Sequence, residues 1–141
     1  MAVDSTNYRN IIGSLCYLVN TRPDLAYSDG YVSRFMEAPR EEYLLAVKRI
    51  LRYVARTKGW GVRYCTGREQ EKLELVGYSD SDMAGDVDDC KSTSGMIYFL
   101  SGGAIYWQST KQRVVVFSSC EAEYIAASTA TTQGVWLARL M

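Results

Sequence analysis

The hydrophobic period changes once along these 141 residues, near Gly59, and that change limits what the chain can fold into. Before Gly59 apolar residues recur at helical spacing; after it they come in short, β-prone runs separated by glycine. The first half holds three helical stretches. "YRNIIGSLCYLVN" is a short amphipathic helix, "TRPDLAYSDGYVSRFME" places Pro23 near a first turn, and "APREEYLLAVKRILRYVARTKG" restarts after Pro39 and stops at Gly59. In the last, Leu44, Val47, Leu51 and Val54 form an apolar stripe, while Lys48, Arg52 and Arg56 line another face at i, i+4, i+8.

After Gly59, "GVRYC", "LELVGYSDSD", "GMIYFLSG" and "GAIYWQSTKQ" read as strands, with "LSGGAI" a close hairpin between two of them. Then "VVVFSSCEAEYIAASTATTQGVWLARLM" becomes a helix from about Ser118, with Gly134 a weak point inside it. The expectation is an α+β chain: a helical segment over residues 1–60, then residues 61–141 with three principal antiparallel strands followed by a helix.

Charge is unevenly spread although the formal net charge is zero. Seven basic residues and no acidic one lie between Tyr43 and Arg68, whereas Glu71 to Asp89 carries seven acidic residues against Lys72. The basic run fits either a solvated helix face or a phosphate backbone. The chain has no histidine, which removes Ser/His/Asp triads, Cys/His pairs and imidazole metal ligands. Its four cysteines have no C-x-x-C spacing, so they read as reduced thiols in an intracellular compartment. The N-terminus lacks the basic start and unbroken apolar centre of a signal peptide, and no run approaches the roughly 20 apolar residues of a membrane span.

Acid, base or metal chemistry therefore falls to carboxylates. Alternation along a strand puts Val76, Tyr78, Asp80 and Asp82 on one side. An EF-hand loop started at Asp80 fails, with Ala84 and Lys91 at ligand positions. Asp86, Asp88 and Asp89 read as a solvated turn. In "SSCEAEY", Ser118 and Glu121 form a capping box, leaving Glu123 beside the small residues Ala126 and Ala127, with room to approach the strand that carries Asp80. A strand aspartate and a helix glutamate converging on Mg²⁺ is what two-metal phosphodiester hydrolysis needs.

The order of "YSDSDMAGDVDDCKSTSGMIYFLSGGAIYWQSTKQ" and "SSCEAEYIAAS" resembles the ribonuclease H domain of copia-type LTR retrotransposon Pol polyproteins. The upstream "YRNIIGSLCYLVNTRPDLAYSDGYVSRFMEAPREEYLLAVKRILRYV" resembles the connection from that family's reverse transcriptase. The resemblance implies an RNase H-like fold, cleavage of the RNA strand of an RNA–DNA hybrid, and dependence on Mg²⁺ or Mn²⁺. It implies Asp80 and Glu123 as catalytic metal ligands, with Asp82 a neighbouring ligand, and Ser81, Trp107, Lys111 and Gln112 as substrate contacts. Met83 stands where many members carry Trp, and Cys90 where a basic residue is usual. In the family a further strand and helix bring two more aspartates, so this chain is expected to be a C-terminally truncated unit with little activity alone. Its unpaired strand edge favours self-association.

The competing reading is a secreted effector: "RILR", Arg49 to Arg52, matches the R-x-L-R pattern of oomycete proteins delivered into a host cell, where host proteins would be the partners. That reading, like a non-catalytic binding remnant, needs no active site.

Overall fold

The computed structural model describes residues 3–64 and 73–141. It is an α+β chain of two compact units, Met1–Val62 and Arg63–Met141.

The first unit is helical: α1 (Ser5–Val19), a 3₁₀ turn (Pro23–Leu25), α2 (Ala26–Ser33) and α3 (Glu41–Arg56). Asp4 starts α1 by accepting hydrogen bonds from the Thr6 and Asn7 amides at 2.9 and 3.3 Å. Tyr8, Ile12 and Leu15, at i, i+4 and i+7, are the buried face of α1 and pack with Val32 and Val47. Burial of each such side chain contributes roughly 1.5–3 kcal/mol. The Tyr8 hydroxyl donates to the Val32 carbonyl at 2.8 Å, so the one polar atom brought into this core is satisfied. On α3 the packed face is Tyr43, Leu44, Ala46, Val47 and Ile50; Leu51, expected in that stripe, is 41% exposed because the helix is rotated toward Ile50.

Arg22 fastens the 3₁₀ turn to the end of α3. Its guanidinium grips Asp24 in bidentate fashion at 2.9 and 2.7 Å and donates to the Thr57 carbonyl and hydroxyl at 3.0 and 2.8 Å. Tyr53 donates to the same Asp24 carboxylate at 2.9 Å. The Arg22 guanidinium holds the Asp24 carboxyl below the usual carboxylate range.

The second unit has β1 (Leu75–Ser81), β2 (Thr93–Leu100), β3 (Gly103–Lys111) and α4 (Ser119–Leu140). The three strands are antiparallel in the order β1-β2-β3. Ser101 and Gly102 make the two-residue β2–β3 turn, both at positive φ (46° and 86°), the geometry whose twist matches the strands it joins. Residues 61–64 of the "GVRYC" run form no strand, and Cys65 lies outside the described residues. Instead the Tyr64 hydroxyl donates to the Ala104 carbonyl at 2.8 Å.

Helix α4 packs on β1 and β2. Ser118 caps it, accepting from the Glu121 amide at 3.2 Å. The Glu121 carboxylate reaches back to the Phe117 amide at 2.8 Å, one residue earlier than in the standard box. Its packed face is Ala122, Ala126 and Ala130, small enough for close approach to Met96 and Tyr98. Among the described residues, no helix is long and apolar enough to cross a membrane.

Candidate functional site

The register divides β1 into two faces. Gly77 lies opposite Tyr98 and Ser79 opposite Met96, the β2 residues that pack with Ala130 of α4, so the odd-numbered positions of β1 face the helix. Val76, Tyr78 and Asp80 point to the other face, where Tyr78 meets Phe99 edge-on at 6.1 Å. Asp80 is exposed near the end of the strand, and its Oδ1 accepts from the Ser81 amide at 2.9 Å. Glu123 is exposed in the first turns of α4, beside the buried Ala122 and Ala126. The small-residue face of the helix is therefore Ala122, Ala126 and Ala130, with Ala127 exposed and Glu123 at its margin.

Asp82 does not continue the strand face of Asp80. Its backbone pairs with Thr93, donating to that carbonyl at 3.1 Å, and its Oδ1 accepts from the Thr93 amide at 2.7 Å. A methyl group at Gly85 would run into the same carboxylate, so the loop folds tightly over it. Ser81, half-buried, donates its hydroxyl to the Asp82 carbonyl at 3.3 Å. Among the described residues, no group of three or more Asp, Glu or Cys side chains is arranged to hold a metal ion.

The aspartates after Gly85 are not a solvated turn. Asp86 is 6% exposed; its Oδ1 accepts from the Asp88 and Asp89 amides at 3.0 and 3.4 Å, and its Oδ2 from Lys111 at 2.6 Å. Lys111 also pairs with Asp89 at 2.8 Å. Hydrogen bonding from Lys111 holds the Asp89 carboxyl below its usual range; burial alone would lower the ammonium of Lys111, but Asp86 and Asp89 together hold it above. Of the three aspartates only Asp88 keeps the exposure expected of a solvated turn, with Val87 and Cys90 exposed beside it. Lysine at the end of β3 pairs with an aspartate 25 positions earlier, a relationship that loop composition does not signal.

Of the expected substrate contacts, Lys111 is thus held by two carboxylates. Gln112 is 6% exposed, and its amide donates to the Ser94 hydroxyl at 2.9 Å and the Ala122 carbonyl at 3.0 Å, joining β2 to the start of α4. Its Oε1 is buried without a partner. Trp107 is half-buried opposite Ile97, on the same sheet face as Asp80.

The chain is 46% identical over 138 residues to the retrovirus-related Pol polyprotein from transposon RE1 of Arabidopsis thaliana, covering 98% of this chain and 9% of that protein. It is 47% identical over 135 residues to the retrovirus-related Pol polyprotein from transposon TNT 1-94 of Nicotiana tabacum, covering 95% and 10%. A relative of similar length, secreted RxLR effector protein 161 of Plasmopara viticola, is 45% identical over 131 residues, covering 92% and 90%. Over nearly its whole length the chain is homologous to a segment of copia-type retrotransposon Pol polyproteins. It spans about a tenth of the length of the Pol polyproteins it matches. No protein-family model matches this Pol-related chain, and no solved structure matches it.

Proposed function

We propose that this Pol-derived chain carries part of a ribonuclease H-like unit acting on RNA–DNA hybrids, with little cleavage of its own. The observation that carries the reading is topological: three antiparallel strands followed by a helix packed on β1 and β2, with an exposed aspartate near the end of the first strand and an exposed glutamate in the first turns of the helix. In this reading Asp80, on the sheet face away from α4, and Glu123, at the margin of the packed face of α4, must meet around the end of β1 to ligate one divalent metal, Mg²⁺ or Mn²⁺, that further carboxylates complete. Asp82 supports the loop beside them, and Trp107 lies on the sheet face from which a hybrid backbone would be met. The reading places the chain inside the cell, in cytoplasm or nucleus.

The test is a chimera in which this chain replaces the matching segment of the tobacco Pol relative. Cleavage of a labelled RNA–DNA hybrid is compared with that by the chain alone and by chimeras carrying Asp80→Asn or Glu123→Gln. The expected result is near-background cleavage by the chain alone and metal-dependent cleavage by the chimera that both substitutions abolish. Chimera activity indifferent to both substitutions sinks the assignment.

A second reading, a secreted effector acting on host proteins, is favoured by the length match to the Plasmopara protein. Arg49 to Arg52 lies inside α3, however, with Ile50 packed against the core, so the motif is a helix face and not an accessible extended segment. Recovery of the chain from a secreted fraction would favour the effector.

A further inference from the structure

The solvent face of α3 is a line of cations. With Val47 fully buried and Tyr43 and Ile50 packed beside it, the opposite side of the helix presents Lys48, Arg52 and Arg56 on successive turns, with Arg49 alongside, all four exposed. From Lys48 to Arg56 the line runs roughly 12 Å at the rise of an α-helix. Residues 43–64 contain six basic side chains and no acidic one. Among the described residues none of the four takes part in an ion pair.

The nearby carboxylates do not neutralise this line. Glu41 and Glu42 are confined to the first turn of α3, and Glu42 meets Arg40 at 3.7 Å. Asp24 shares a shallow pocket with Arg49 and Tyr53, but its oxygens already accept from Arg22 and Tyr53. Just past the helix, Trp60 is 65% exposed, its ring edge-on to Tyr53 at 6.4 Å.

Uncompensated cations beside an exposed aromatic ring suit a polyanion that also carries flat faces. Arginine in three of the four positions favours phosphate oxygens, which its planar fork can meet with two donors. A membrane surface fits poorly, because an interfacial helix needs an apolar face for the lipid and the apolar face of α3 is buried in its own unit. An acidic protein would match the charge but leave Trp60 unexplained.

We propose that the solvent face of α3 together with Trp60 binds single-stranded nucleic acid, Lys48, Arg49, Arg52 and Arg56 contacting phosphates and Trp60 stacking on an unpaired base. The surface lies in the first unit and uses neither Asp80 nor Glu123, so it stands independently of the nuclease reading.

The experiment is fluorescence anisotropy of a labelled 20-residue oligo(dT) titrated with the full chain at several salt concentrations. Arg52→Glu with Arg56→Glu is expected to weaken binding at least ~10-fold and to make the salt slope shallower by about 1.4, two phosphate contacts at about 0.7 each. Trp60→Ala is expected to weaken binding ~5-fold or more with the slope unchanged. Circular dichroism checks that each variant folds. Affinity and slope unchanged in the double reversal overturn the proposal. So does competition by polyglutamate as effective as by unlabelled oligonucleotide, or tighter binding of a duplex of the same length.

Discussion

Tyr98 and Gly134 divide one space between them. The ring crosses from β2 toward α4, its hydroxyl donates to the Ala130 carbonyl, and a methyl group at Gly134 would lie 2.9 Å from the hydroxyl oxygen. On the strand side Gly77 leaves the room its register partner Tyr98 fills. The helix approaches the sheet here because both flanking positions lack a side chain. The weak point expected in α4 is therefore a packing requirement.

Gly134→Ala should lower stability by about 1–2 kcal/mol, because overpacking against the ring outweighs the roughly 1 kcal/mol of helix propensity gained. Gly13→Ala in α1 meets nothing within 4 Å and should raise stability by about 0.5–1 kcal/mol. Urea denaturation of both variants checks this. A stabilised Gly134→Ala protein would mean that the ring moves aside without cost.

Asp29 of α2 is buried with its Oδ1 unpartnered, and burial pushes its carboxyl above the usual range, against a lesser lowering effect from Cys16. A raised folded value means that its contribution is full below the unfolded pKa and is lost as pH rises through the folded one. Asp29→Asn should therefore stabilise the first unit at pH 7, with the gain shrinking toward acid. Asp24, held low by Arg22, has the opposite sign: its contribution is lost as pH falls through its folded value. Melts of wild type and Asp29→Asn from pH 3 to 8 isolate the first effect. A gain independent of pH would contradict it.

Asp82 and Asp80 should separate cleanly. Asp82→Ala removes the acceptor of the Thr93 amide and should cost about 1–2 kcal/mol without any metal. Asp80→Ala removes only an exposed local bond to Ser81 and should stay within about 0.5 kcal/mol. Thermal melts with and without Mg²⁺ check both, and no metal-dependent shift is expected of the chain alone. An Mg²⁺ shift abolished by Asp80→Ala would show a more complete site than the carboxylates suggest.

The outer edge of β1 should mediate self-association. Glu74 and Asp82 bond across to the β2 side, so by alternation the amides of Gly77 and Ser79 point away from β2. Proline at 79 would remove an outward donor while sparing β1–β2 pairing. Sedimentation velocity should show a concentration-dependent dimer for wild type and a monomer for Ser79→Pro. A wild type that stays monomeric at every concentration tested rules this edge out.

What was legible in the sequence is what the chain's local period and end signals encode. Helix α4 starts at Ser118 because its side-chain oxygen meets a free amide three residues on; the matching cap of α1 by Asp4 emerged only in the structure. Three strands appear where β-prone runs sit between glycines, and the turn at Ser101 and Gly102 follows from residues that accept positive φ. The nearness in space of distant residues was not legible. Asp86 looked like part of a solvated turn until Lys111 reached it; Gln112 looked free for substrate until Ser94 and Ala122 took its donors. Nor could alternation along β1 say that Gly77 faces the helix and Asp80 faces away; the fit of Tyr98 between Gly77 and Gly134 decides that. Periodicity and capping act within a few residues, so a sequence carries them in full. Which face packs, and which charge finds a partner, depends on steric fit and desolvation between segments that meet only in the tertiary structure.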